Sequence, residues 1–215
     1  MAIFKDNTQE MQEDILIKTP TNGAVISKCM TINGGIKSCE PITIDGHVIG
    51  DILCEDIVVI VYGGSVIGKI KAKEVRVDGR LEGPIEAKIV EQTNSANCEG
   101  YIIADIAILN GKTDGDIICK ETLEIGEGAN IECFECKAET ISVDGTLKGN
   151  ITATKLLEAK ETSVIKGVIK TKELKSDAGS KILGKIDNFA SNIINKKLDS
   201  PIRKEQFNKE VRRIS

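Results

Sequence analysis

Three small constellations in this 215-residue chain have the spacing of chemistry. Gly63, Gly68 and Lys69 satisfy GxxxxGK, the loop that wraps phosphates with backbone N–H groups and a lysine. Ile70, however, stands where Ser or Thr would hold magnesium, and such a loop must open a helix whose N-terminus faces the phosphates. Cys133 and Cys136 have the CxxC spacing of metal and redox sites. No second CxxC accompanies them and His47 is the single histidine, so a four-ligand zinc set is incomplete. His47 likewise lacks the partners that a general base needs. The Asp-Gly or Asn-Gly pairs at Asp45, Asp78, Asn110 and Asp144 form the third constellation, but Asp and Asn cap or tolerate tight turns beside glycine without any chemistry.

The elements that would position these residues are written as a repeat. The stretch ISVDGTLKGNITA at 141–153 recurs as ITIDGHVIGDILC at 42–54, VRVDGRLEGPIEA at 75–87 and AILNGKTDGDIIC at 107–119. A glycine column runs through Gly50, Gly68, Gly83, Gly100, Gly115, Gly149, Gly167 and Gly184. Two residues after each comes Ile52, Ile70, Ile85, Ile102, Ile117, Ile151, Ile169 or Ile186. Two further on sits a small residue: Cys54, Ala72, Ala87, Ala104, Cys119, Ala153 or Thr171. The column breaks near Cys133 and Phe134, and counting back from Gly145 assigns Cys136 and Ala138 to the isoleucine and small-residue columns.

The eight intervals from Gly50 to Gly184 average about 17 residues, shorter than any helical-pair repeat. Apolar and polar residues alternate within a unit, as in Val75, Val77, Leu81, Ile85 and Ala87, which is the period of a strand with one buried face. The pattern predicts an all-β fold, a single-stranded parallel β-helix (β-solenoid) of about ten rungs. At about 4.8 Å per rung the rod is roughly 45 to 50 Å long. The Asp-Gly pairs recur every 33, 32 and 34 residues, so two slightly different rungs alternate. Gly68 belongs to the glycine column, Ile70 and Cys136 to the isoleucine column, and no cofactor or metal is expected.

The expected organisation is a flexible N-terminal tail at 1–21, a β-helix at 22–187 and a basic tail at 188–215. In the first, less regular rungs Val25, Ile26, Ile32 and Ile36 are expected inside, and the polar residues 92–97 are expected to loop outward. The N-terminal tail carries four acidic and two basic residues, with Ile3 and Phe4 beside Lys5 as a candidate membrane-contact tip, weak alone but useful when many copies are linked. No run of about 20 apolar residues is present to span a membrane. The C-terminal tail has seven basic against three acidic residues. Phe207, Val211 and Ile214, spaced four and three apart, share one side of a short helix flanked by Arg212 and Arg213. That helix is a candidate to cap the rod, lie on an anionic membrane or dock a partner.

With no Trp, two Tyr and four Phe, the core is aliphatic. A net charge of −4 and the lack of a basic groove interleaved with aromatics argue against nucleic acid as a partner. Seven cysteines without a secretory signal point to a reducing cytoplasm, where Cys54 and Cys119 act as small hydrophobes.

The units VDGRLEGPIEAK at 77–88 and VDGTLKGNITATKL at 143–156, with the opening MAIF, resemble the bactofilins, bacterial polymer-forming cytoskeletal proteins, over about residues 40–187. The resemblance implies a right-handed β-helix and end-to-end filaments formed without nucleotide. It also implies a place beneath the inner face of the cytoplasmic membrane and work as a scaffold for peptidoglycan-modifying or other morphogenetic proteins that set cell shape. Two departures stand out: the repeat is longer than the family's usual compact one, and the basic C-terminal extension is a candidate brake on polymerisation.

Uncovered β-helix ends present unpaired strand edges and an open apolar core. The candidate joint residues are Ile182, Ile186 and Phe189 at the C-terminal end and Ile26, Ile32 and Ile36 at the other. Like ends meeting give a non-polar filament, unlike ends a polar one. The rivals are a non-polymerising adaptor capped by its C-terminal tail and a β-helix acyltransferase of the hexapeptide-repeat class. Such acyltransferases keep a six-residue rule, which intervals of 15 to 18 residues break, and they use a histidine base, for which His47 is the sole candidate. Sugar lyases and hydrolases on β-helices need charged clusters in a cleft of long loops, whereas the connections here are short. The chain is expected to be structural and not an enzyme.

Overall fold

The computed structural model describes residues 23–188, with strands and turns but no helix among the described residues. Twenty-one strands, from Ala24–Ile26 to Lys181–Asn188, join in one parallel sheet wound into a solenoid of about ten turns. Each turn crosses three faces. Face A begins with the stack Ala24–Ile26, Ile42–Ile44 and Ile57–Ile60. Face B begins with Thr31–Asn33, His47–Ile49 and Ser65–Ile67. Face C begins with Ile36–Ser38, Ile52–Cys54 and Ile70–Lys71. Rung one thus spans 24–38, and rung ten spans 173–188. In the second half of the rod the strands run through their corners: Asn130–Val143 and Thr146–Ala159 are 14 residues each and cross faces B, C and A in turn.

The columns expected from spacing are present. On face C, Ile36, Ile52, Ile70, Ile85, Ile102, Ile117, Cys136, Ile151, Ile169 and Ile186 lie one above another. Cys54, Cys119, Ala138 and Ala153 fill the neighbouring narrow column and are buried. Face A supplies two further inward columns, such as Ile42, Val58, Val75 and Ile44, Ile60, Val77, all shut off from solvent. Parallel pairing keeps like residues in register, so one aliphatic choice repeated every rung makes a continuous core.

Glycine does two different jobs at the corners. Between faces B and C, Gly100 takes φ +140°, and a Cβ there would lie 2.5 Å from the carbonyl oxygen of Gly83 directly below. From Gly50 onward each glycine of this column is therefore required both by its dihedral and by the backbone of the corner residue beneath it, a glycine everywhere but under Gly149, where it is Cys133. Between faces A and B the corner alternates through rung nine, and rung ten repeats the longer turn. Four-residue turns at 27–30, 61–64, 93–96, 126–129, 160–163 and 177–180 close with a backbone hydrogen bond from the fourth N–H to the first carbonyl, 2.8 to 3.3 Å. The rungs between use only Asp45-Gly46, Asp78-Gly79, Asn110-Gly111 or Asp144-Gly145. A Cβ on Gly111 would meet the carbonyl oxygens of Ala96 and Thr93 at 2.5 and 2.6 Å, and one on Gly145 those of Ala129 and Gly126 at 2.6 Å. The short turn nests inside the long one, which is the physical origin of the two-rung period.

Two sequence expectations are corrected. Val25 points outward and is 62 % exposed, because on face A the inward parity belongs to Ala24 and Ile26, which stack under Ile42 and Ile44. Residues 92–97 do not loop out as a unit: only 93–96 turns, with the same four-residue geometry as its counterparts, and Ala96 is buried. Gln92 lies inside, between Val77 and Leu109 in the face A column. Its Oε1 accepts a hydrogen bond from Thr113 Oγ1 at 2.9 Å across one rung, while its buried Nε2 finds no partner among the described residues.

Candidate assembly interface

The rod ends concentrate what the interior hides. In rung ten the Lys181–Asn188 strand pairs with 164–171, and 173–176 pairs with 156–159. Among the described residues no strand lies on their far side. Leu174 is 36 % and Ile186 46 % exposed, and Ile182 is half-buried. Their column neighbours one rung below, Leu157, Ile165 and Ile169, are at most 1 % exposed. At the other end Ala24–Ile26, Thr31–Asn33 and Ile36–Ser38 each pair with rung two alone, with Ile32 and Ile36 half-buried. An edge of this kind offers unpaired N–H and C=O groups together with apolar side chains, the two things that a further strand needs.

Of the candidate joint residues, Ile32, Ile36, Ile182 and Ile186 sit in these open end rungs. Ile26 shares rung one but is only 4 % exposed, so it offers little surface to a joint. Leu183 faces outward, 57 % exposed, and belongs to the flank. Leu174 is a further exposed core-column residue of this end rung that the glycine columns do not mark. Its signal was its place 17 residues after Leu157 in a face A column that carries no glycine marker. Phe189, the candidate membrane tip Ile3 and Phe4, and the candidate tail residues Phe207, Val211, Arg212, Arg213 and Ile214 lie outside the described residues.

The constellations with chemical spacing are absorbed by the coil. Gly63 is in the turn at 61–64, Gly68 in the corner column, and a strand that begins with the buried Ile70 follows where a phosphate loop needs a helix. Lys69 Nζ pairs with Glu86 Oε1 at 2.5 Å. This bond and the Lys71 ammonium hold the Glu86 carboxyl below the usual carboxylate range. His47 is exposed on face B, between Thr31 and Ser65 in the stack.

Cys136 is buried in the isoleucine column, and Cys133 takes the place of a corner glycine. A hydrogen bond between the two thiols lowers the Cys133 pKa and, with burial, raises that of Cys136. Burial, helped at Cys119 by the Asp105 carboxylate, pushes the thiols of Cys98 and Cys119 up to about 12, as befits small hydrophobes rather than thiolate ligands. Among the described residues no three His, Cys, Asp or Glu side chains converge as a metal cage.

No curated protein and no solved structure matches the chain. A family model described as "Bactofilin: Polymer-forming cytoskeletal" matches residues 24–108 and, a second time, residues 104–187. The first match takes in rungs one to five and the second rungs six to ten, which accounts for a rod longer than the family's compact unit. Matched twice along a continuous parallel solenoid, the chain belongs to the bactofilin family of polymer-forming cytoskeletal proteins.

Proposed function

We propose that this chain is a structural scaffold that assembles end to end, without nucleotide, into filaments on the inner face of the cytoplasmic membrane. The observation that carries the reading is the contrast between Ile186, 46 % exposed, and Ile169 in the same column, 1 % exposed. Among the described residues rung ten has the pattern of an interior rung with no strand on its far side, and a second copy supplies one. Stacking extends the core and the hydrogen-bond ladder together, so the assembly needs no nucleotide to drive it. The filament positions peptidoglycan-modifying or other morphogenetic proteins and catalyses nothing itself. Ile3 and Phe4 hold it to the bilayer, each tip weakly and the polymer firmly.

The test is negative-stain electron microscopy of the full-length chain, without nucleotide, beside a chain ending at Asn188. Filaments in both support assembly through the rod ends. Filaments only in the shortened chain make the C-terminal segment a cap, and discrete particles in both favour a non-polymerising adaptor. Membrane contact is tested separately: deleting residues 1–5 abolishes co-sedimentation with anionic liposomes, whereas unchanged binding moves the contact to the basic C-terminal segment.

A further inference from the structure

The flank of the rod carries an apolar patch that end-to-end assembly does not use. Ile103 and Ile118 stack on adjacent rungs of face C with outward parity, and Ile118 is 42 % exposed. At the neighbouring corner Tyr101 is 43 % and Phe134 78 % exposed. Phe134 stands there because the glycine column is broken. The strand Asn130–Val143 slips register between Glu132 and Glu135. Asp116 Oδ1 holds the bulge, accepting from the backbone N–H of Phe134 at 2.9 Å and of Glu135 at 2.8 Å. Tyr101 and Phe134 border a shallow groove of about 510 Å³ whose walls include Asp114, Asp116 and Glu132; Glu132 also pairs with Lys148.

An apolar strip with aromatic flanks and a carboxylate rim is the complement of an amphipathic segment whose apolar line is flanked by arginines. Aromatic faces attract guanidinium groups, and carboxylates bind them through charge-assisted hydrogen bonds. The chain contains such a segment. Phe207, Val211 and Ile214 are spaced four and three apart, with Arg203, Lys204, Arg212 and Arg213 beside them in sequence. The last described strand ends at Asn188 on face C of rung ten. The patch lies about four rungs away, roughly 19 Å at the usual strand spacing. The eighteen residues 189–206 can span up to about 60 Å, so the segment reaches its own chain's patch without strain.

We infer that residues 203–214 dock on the Tyr101–Phe134 patch of the same chain. Docked there, the segment lies along the flank and leaves rung ten open, so it is not the cap on the assembly end. The inference does not depend on filament formation, and its failure leaves the end-to-end joint untouched.

The test is a photocross-link in the full-length chain with benzoylphenylalanine replacing Phe134, an exposed aromatic position that tolerates the larger ring. An equal mixture of nitrogen-15-labelled and unlabelled chains separates a link within one chain from a link between copies. The expected result is a link to residues 203–214 within one chain, weakened by high salt and lost in the Phe207→Ser/Val211→Ser/Ile214→Ser variant. No link to this segment, links only between copies, or a link that survives the triple substitution overturns the inference.

Discussion

Ile169 and Ile186 are the same residue in the same column one rung apart, yet the first is 1 % and the second 46 % exposed. Leu157 and Leu174 repeat the contrast at 0 % and 36 %. Side-chain chemistry does not separate the interior of this rod from its end; the presence or absence of the next rung does. Fully burying one such aliphatic side chain is worth about 1.5–3 kcal/mol. With Leu174 36 % and Ile186 46 % exposed and Ile182 half-buried, the end rung leaves unused about the apolar stabilisation of one such side chain, beside a row of strand edges ready to pair. Among the described residues neither end rung differs in pattern from the rungs inside, as a dedicated polar capping repeat would.

If that contrast holds, a charge has opposite consequences at the two places. Ile151→Asp in the interior column buries a carboxylate with no cation to pair with it, and costs about 4 kcal/mol or more. The rod then fails to fold or melts far lower in a thermal circular-dichroism scan. A melt within a few degrees of wild type would show that the interior is not the continuous packed core described.

Glycine sharpens the same comparison. Gly34 in rung one has φ +139° with nothing within 4 Å of the place a Cβ would occupy, whereas a Cβ on Gly100 meets the Gly83 carbonyl oxygen. Gly34→Ala loses about 1–3 kcal/mol through backbone strain. Gly100→Ala loses that and about 1–3 kcal/mol more through the clash. Equal losses by urea titration would mean that the stacked glycine below plays no part.

The interior also holds one pair of buried polar side chains joined to each other, Thr113 and Gln92. Thr113→Val leaves the Gln92 carbonyl without its donor and costs about 1–3 kcal/mol, whereas Thr113→Val with Gln92→Leu is close to neutral. A double variant as unstable as the single one would place the cost in packing.

The smallest effect is read in thiol chemistry. Cys29 and Cys39, in the first rung and its exit, are exposed, while Cys54, Cys98, Cys119 and Cys136 are buried. Maleimide at pH 8, followed by mass spectrometry, modifies the first two and spares the buried four until the chain unfolds. The thiols of Cys98 and Cys119 titrate near 12 in the folded chain against an ordinary value of 9.0. Their contribution to stability is therefore complete below pH 9 and declines as pH rises from 9 toward 12, because the unfolded thiols ionise first. Labelling of Cys98 at the rate of Cys29 in the folded chain would contradict its burial.

Much of this was legible in the residues themselves. Column spacing places Ile52 on Ile70 and Cys136 between Ile117 and Ile151, because parallel stacking converts a sequence interval directly into a spatial neighbour. It also disposes of GxxxxGK, since Ile70 cannot both fill the core and open a helix. What spacing did not convey was parity where glycine markers are sparse: Val25 reads as apolar and therefore inward, but Ala24 and Ile26 hold that side of the strand. Gln92 reads as a loop residue because its partner Thr113 is 21 residues away, a distance at which single-sequence patterns say nothing. Leu174 escaped because face A carries no glycine beside it. The Tyr101–Phe134 groove is bordered by two residues 33 positions apart, the second of which sits on a bulge.

The most direct test of the joint is to place charge on rung ten alone. In the full-length chain, Leu174→Asp with Ile186→Asp adds two carboxylates at positions that are already partly solvent-exposed, so the rod is expected to keep its melting temperature within a few degrees. Negative-stain microscopy and sedimentation, without nucleotide, should then show filaments for the wild-type chain and discrete rods roughly 45 to 50 Å long for the variant. Filaments of undiminished length from a folded variant would contradict assembly through rung ten.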